Sequence, residues 1–570
     1  MNEKQPLPLD KRWIWASTIG FVFFLLIQVF PITGQLFSTE AGSVIPRSDA
    51  ERHAIGLANE RFGLSADRIS DTTVTHMTDS RATGYFSKHG YMDEYEKARS
   101  ERTPTDVYVV EIYAEGVPGA LTISLNMENG KLVAWKHIRS SSGTADPAAS
   151  EQPGDANADQ ASAALRYASW FGIAAADWEW TGSYSRESGY EFSSRGESIG
   201  ESRLWLKVRP PASYTLTASS FPQWQEGAVE YGTELPPSFV AYMKEQEKWA
   251  ADLSAFGYLL PQVLLFVFAI IYAGTHGRHT SYRRGIFLSL AFFVLYAIFT
   301  INIIPGLRAA TWDSGIRIGD NLNLTISLVT YAAMALLTYF SAVGGDGLWK
   351  SMGLSLWPRW READYGAKVL RSVKEGYFLA FILLGAQSVI LLALEQTLGS
   401  FAASDASQSM YNMSIPLLLP LLAWCAGISE ELQSRLFGIG LFRSWFVGLA
   451  RKLKGGKEPS RRTIAVLTTI AIVPPGLLWA IGHVGYAVYP VYTRVIELVL
   501  LSFLFGWFML RFGVITVIFA HVTLDAILMG LQMMFDGLPW DFAGGVFSLI
   551  FPALVGIVIW KLHGAVRWKT

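Results

Sequence analysis

A single cysteine, Cys425, in 570 residues excludes an intramolecular disulfide and any cysteine framework for structural zinc. Set in an apolar run, it reads as a small buried hydrophobe. Charge is also scarce, at 17% of residues with a net charge of -1, so no overall field draws nucleic acid to the chain. There is no HExxH helix, the pattern that places two zinc-binding histidines on one face. No small-residue cleavage site follows the first apolar run, which argues against a removed secretory leader.

Apolar sequence is abundant instead, with 51% hydrophobic residues and 14% aromatics. Runs of it begin at Ile14 and then near Phe256, Ile286, Leu322, Tyr377, Pro416, Ile464, Val495, Phe512 and Ala543. Each is roughly long enough for a hydrocarbon core of about 30 Å, which makes about ten spans. Pro474 and Pro475 should kink or break the seventh, which is then expected to run on to about Tyr489 with His483 mid-span.

Lysine and arginine alternate between the loops as the positive-inside rule requires. Lys4, Lys11 and Arg12 precede the first span. Inner loops are expected to hold Arg278, Arg283 and Arg284, then Lys350 to Lys374, then Arg443 to Arg462, while outer loops hold little beyond Arg308 and Arg317. The tail with Lys561, Arg567 and Lys569 falls inside, so both termini are expected to be cytoplasmic in a multi-pass protein of the cell membrane. The expected fold is a polytopic α-helical membrane protein with a large α+β extracytoplasmic insert between helices 1 and 2.

The expected divisions are an anchor helix at 1–34, the insert at 35–255, helices and a cytoplasmic loop at 256–374, and a final membrane domain at 375–570. Strand-like alternation in the insert is clearest at VYVVEIYAEG and LTISLNMENGKLVAWKH. RFGLSADRI at Arg61 and WFGIAAADW at Trp170 each follow a helix-like stretch. The layout looks like two PepSY-type modules, although one α+β domain accounts for it as well. His53, His76, His89 and His137 are scattered through the insert and read as surface residues.

Ionisable groups in spans cost about 2.5 to 3.5 kcal/mol each to insert, so they filter the sequence for function. His483 and His521 lie well inside apolar spans, and Glu430, Glu431, Arg435 and Asp525 are their clearest charged companions. Residues four apart share a helical face, so Glu431 can pair with Arg435 while Glu430 points away and stays free for chemistry. His521 and Asp525 also share a face. The bland alternative is a structural polar network that ties the helices together.

EExxxR at Glu430 to Arg435, WxxxH at Trp479 to His483 and HxxxD at His521 to Asp525, in that order, resemble the CPBP family of intramembrane proteases. This family comprises the CAAX-protease and bacteriocin-processing enzymes, many of them bacterial. The resemblance covers roughly Tyr377 to Trp560. It implies an endopeptidase acting on a membrane-associated protein or peptide, with Glu430 and His483 activating water. His521 and Asp525 would stabilise the oxyanion, and Glu431 with Arg435 would orient the site. Trp479 stands where Phe is usual, and Asp525 replaces the Asn of eukaryotic relatives; an Asp donates a hydrogen bond only when protonated.

No cofactor is favoured. The rival mechanism uses zinc, held by Glu430, His483 and His521. PepSY-type modules are associated with protease inhibition, so the resemblance also implies an extracytoplasmic ligand or regulator. A different class of function remains open, a non-hydrolytic receptor or immunity-type regulatory protein acting through the insert. A proton-coupled transporter is a third, weakened by the lack of matching broken-helix repeats.

Overall fold

The computed structural model describes residues 10–30, 44–138, 157–185, 188–196, 198–211, 226–313 and 318–566. The expected boundary near residue 35 lies outside these residues, as do Lys4, Arg317, Arg567, Lys569 and the side chain of Arg284.

After a first apolar helix, α1 (Lys11–Val29), the insert forms one eight-stranded antiparallel sheet. Its first half is α2 (Arg47–Phe62), β1 (Ile69–Thr78), the helix pair α3 (Ser80–His89) and α4 (Met92–Ala98), then β2 (Asp106–Ala114), β3 (Ala120–Asn126) and β4 (Leu132–Ile138). The second half is α5 (Ala158–Ser169), β5 (Trp178–Ser185), β6 (Gly189–Ser194), β7 (Arg203–Arg209) and β8 (Gly227–Glu234). The strand order 1-2-3-4-8-7-6-5 joins the halves where Trp135 on β4 faces Val229 on β8. The two alternating stretches thus form β2, β3 and β4.

The order helix, short turn of 3₁₀ helix, four strands occurs in both halves. A Phe-Gly step ends α2 and follows α5 within three residues, and Gly63 and Gly172 take φ of 64° and 86°. Only glycine holds that left-handed turn without strain. In α2, Ala50, Ala54, Ala58 and Phe62 recur every four residues and are buried against the sheet. Phe62 and Phe171 meet over Trp135, with ring centroids 4.8 and 5.1 Å from it.

Two of the four insert histidines are buried rather than on the surface. His76 is 4% and His137 3% exposed. Strand alternation turns both inward, and partners compensate the burial: Nε2 of His76 lies 3.0 Å from Asp106, and that of His137 3.3 Å from the Pro118 carbonyl.

The helix after β8 does not stop at the expected boundary. α6 (Pro237–Thr275) runs from the insert straight into the apolar region, passing through a π-helical stretch at Leu253–Leu259. The remaining elements are α7 (Tyr282–Asn302), α8 (Ile304–Asp313), α9 (Asp320–Ser351), α10 (Tyr365–Leu398), the short β9 (Phe401–Ala402), and α11 at 420–453. They are followed by α12 (Arg461–Ile470), α13 (Val473–Ile481), β10 (Val488–Tyr489), α14 (Val491–Phe512), α15 (Val514–Met534) and α16 (Pro539–Ala565).

Among the described residues, nine helices are long and apolar enough to cross a membrane, counting α12 and α13 together. The chain is therefore a multi-pass membrane protein with a sheet-rich insert. Between α12 and α13 the chain turns immediately before Val473-Pro474-Pro475, and α13 ends at Ile481. His483 consequently lies in the turn that follows α13 and not mid-helix as expected. α11 meets α15 closely at Gly427, where a Cβ would stand 2.5 Å from a Val522 methyl carbon.

The insert touches the membrane helices through polar contacts. The Asn412 side chain accepts from the His76 N–H at 2.8 Å and donates to its carbonyl at 3.0 Å. Arg308 on α8 pairs with Asp320 and reaches Thr75 on β1. Nearby, between α15 and α16, burial and the neighbouring Asp541 carboxyl hold Asp536 above the usual carboxylate range.

Candidate active site

Three elements bring the predicted residues together: α11 supplies Glu430, Glu431 and Arg435, the turn after α13 supplies His483, and α15 supplies His521 and Asp525. The α-helical part of α11 ends at Glu430, and from Glu431 to Ile439 it widens to a π-helix. Such bulges re-aim side chains and recur at functional sites.

The expected pair of Glu431 and Arg435 persists through that stretch: Arg435 Nη1 stands 3.4 Å from Glu431 Oε1, an ion pair without a hydrogen bond. The same Glu431 oxygen also lies 2.7 Å from Nδ1 of His521. The Arg435 guanidinium is sandwiched between Trp479 and Phe505, 4.0 and 4.7 Å from their ring centroids. Cation–π contact of this kind suits a fully buried guanidinium. Glu430 also has a protein partner, since the Trp479 indole N–H donates to its Oε2.

The histidines face Glu430 with their outer nitrogens. His483 Nε2 is 3.8 Å from Glu430 Oε1, and His521 Nε2 is 3.9 Å from Oε2. His521 Nε2 also lies 3.5 Å from Asp525. His483 Nδ1 is 2.7 Å from the Trp479 carbonyl, which only accepts, so Nδ1 carries a proton and a neutral ring leaves Nε2 with a free lone pair.

Exposure is graded across the cluster. Glu431 and Arg435 are 0% and 1% exposed at their side chains, whereas Glu430 and Asp525 are each 25% exposed and His483 is 18% exposed. Glu431 and Arg435 are thus the buried members of the cluster, and Glu430, His483 and Asp525 its partly exposed ones.

Zinc would need donors that converge on one point. Among the described residues, no three His, Cys, Asp or Glu side chains do so, and the two imidazoles approach opposite oxygens of Glu430.

Several neighbours escaped the reading of the spans. Tyr486 stacks on His483 with rings 5.6 Å apart and 17° from parallel, and Arg494 lies over Tyr486. Arg494 and Glu497, three residues apart in an apolar stretch, answered the same ionisable-residue filter that selected Glu430.

Residues 412–527 match the family model described as type II CAAX prenyl endopeptidase Rce1-like. The match agrees with the CPBP resemblance of the three motifs and contains all six site residues. At the level of family, this part of the chain is similar to a CAAX-type intramembrane protease domain. No curated protein and no solved structure is matched.

Proposed function

We propose that the protein is an intramembrane endopeptidase that hydrolyses a peptide bond of a membrane-associated protein or peptide, with Glu430 as the base that activates water. One observation carries this reading. Two imidazole Nε2 atoms face the Glu430 carboxylate from separate elements at 3.8 and 3.9 Å, too far for direct hydrogen bonds.

A water in that gap accepts its place from Glu430 and His483. Glu430 takes the water proton as oxygen attacks the carbonyl carbon, and returns it to the departing amine. His521, held at Nδ1 by Glu431, donates from Nε2 to the oxyanion beside Asp525. Glu431 and Arg435 position that ring. No step needs a metal.

α11 completes a set of ten spans in this reading. Glu430, Glu431 and Arg435 fall together in its apolar stretch. The loop charges support cytoplasmic termini, an insert outside the cell membrane and a bilayer around the helices. The doubled order of elements supports two PepSY-like modules across the insert, available to an extracytoplasmic ligand or regulator.

Membranes carrying the native protein and its Glu430→Ala form should differ by a small set of cleaved membrane proteins. Identical proteomes, with the variant properly inserted, would end the protease reading and favour a receptor acting through the insert.

A further inference from the structure

His483 sits on a segment, 482–487, with no long helix of its own to hold it. β10 follows at once and pairs antiparallel with β9, placing Tyr489 opposite Phe401, and the Ala403 N–H donates to the Ala487 carbonyl at 2.9 Å. A two-residue ribbon of this kind is too small to be stable by itself.

The insert supplies what is missing. Thr83 on α3 accepts from the Ser404 N–H at 3.1 Å, just beyond β9. Gln246 on α6 accepts from the Val491 N–H at 2.9 Å, just beyond β10. Phe401 packs in one cluster with Tyr85, Phe86, Phe239 and Met243 of the insert. Thr83 and Gln246 are 3% and 8% exposed, so removing either acceptor strands a backbone donor away from water.

The same helix also reaches the other side of His483. A Cβ on Gly482 would lie 2.7 Å from the Tyr258 ring of α6, which leaves the segment little room on that side. Contacts from α6 at Gly482 and Val491 therefore bracket the histidine in sequence, while α3 reaches it through Ser404 and the β9–β10 ribbon.

We propose that Thr83 and Gln246 are positioning residues for His483, so that the extracytoplasmic insert sets the geometry of the water-activating pair. This rests on the protease reading above. It makes the insert a required part of the site, and any ligand that shifts α3 relative to α6 would alter the Glu430–His483 distance.

The substrate is first defined by the comparison of native and Glu430→Ala membranes; if they do not differ, the protease reading falls and the clamp with it. Thr83→Val with Gln246→Met keeps the side-chain shapes and removes both acceptors. In the full-length protein this pair should slow cleavage about tenfold to a hundredfold, the size expected for a misplaced reacting group. Thr83→Ser with Gln246→Glu restores both acceptors and should restore cleavage.

A covalent clamp gives a second readout. A Cβ on Gly84 would lie 3.3 Å from that of Ala403, close to the separation that a disulfide spans. Adding Gly84→Cys and Ala403→Cys to the slow pair should restore cleavage when oxidised and lose it again on reduction; the buried Cys425 offers no competing thiol. If the slow pair fails to fold, Thr83→Val alone is read in the same way. A native rate in the acceptor-free variant, with Glu430→Ala inactive, overturns the clamp while the protease reading stands. So does a slow rate that the formed disulfide does not repair.

Discussion

Two regions of the membrane helices bury carboxylates in different ways. Where α10 meets α14, Arg494 donates to both oxygens of Glu497 at 2.9 and 2.8 Å, and Gln387 adds a third bond at 2.8 Å. Glu375 on α10 is likewise paired with Arg371 at 2.7 Å, with the Thr516 hydroxyl 3.3 Å away. Around Glu430 the indole of Trp479 is bonded, but two imidazole nitrogens stop short of contact. Burial alone marks cost in all three places. What sets the Glu430 cluster apart is that its two imidazole nitrogens stand 3.8 and 3.9 Å from the carboxylate without bonding it.

Neutralising the base tests this contrast most strongly. Glu430→Gln should lower proteolysis by about 10²- to 10⁴-fold. Its amide oxygen still accepts from Trp479, so unfolding in detergent should be unchanged; substantial cleavage by the variant would make Glu430 another structural carboxylate.

The converse substitution should reverse the pattern. Glu497→Ala leaves the largely covered Arg494 guanidinium without its carboxylate and should cost about 3 kcal/mol of stability, measured by denaturant or thermal unfolding. A variant as stable as the native chain would erase the distinction between closed and open clusters.

A third comparison sets the insert junction against the closed pairs. Asp536 is held above its ordinary range, so the folded protein retains a proton there that the unfolded chain has lost. Stability from this site is present at low pH and falls as pH rises from the ordinary carboxylate range through the raised folded value. Asp536→Asn should flatten the decline in thermal stability across that window; an unchanged slope would assign the decline elsewhere.

The smallest effect is expected at the insert surface. Arg81 on α3 and Glu247 on α6 form a half-exposed pair at 2.9 Å. Arg81→Ala should change stability by less than about 1 kcal/mol. A larger loss would mean that the contact between α3 and α6 depends on this pair as well as on packing around Phe239.

Much of the membrane part was legible because its signals are local. Apolar runs of spanning length announced the helices, and Glu430, His483 and His521 stood out against them. The same local rules missed or misplaced details. The four-residue spacing rightly made Arg435 the ion-pair partner of Glu431, but it could not show that the guanidinium also lies on aromatic rings or that the carboxylate is shared with His521. His483 was expected within a span because the apolar run continues past Ile481, but the chain leaves the helix there. In the insert, alternation marked β2 to β4, while the burial of His76 depended on Asp106 thirty residues away and on Asn412 across the junction.

Composition and periodicity by themselves determined that this chain lives in a bilayer, carries a folded polar insert and holds a set of ionisable groups that lipid would not tolerate. Those properties follow from each segment's own solvation, so they can be read segment by segment. Tertiary structure decided which charges are satisfied and which face a gap, because that depends on side chains from α11, the turn after α13, and α15 meeting within a few ångströms. It also decided that the insert grips the segment bearing His483. Contacts between Thr83 and Ser404, or Gln246 and Val491, join positions hundreds of residues apart, and no local pattern records them.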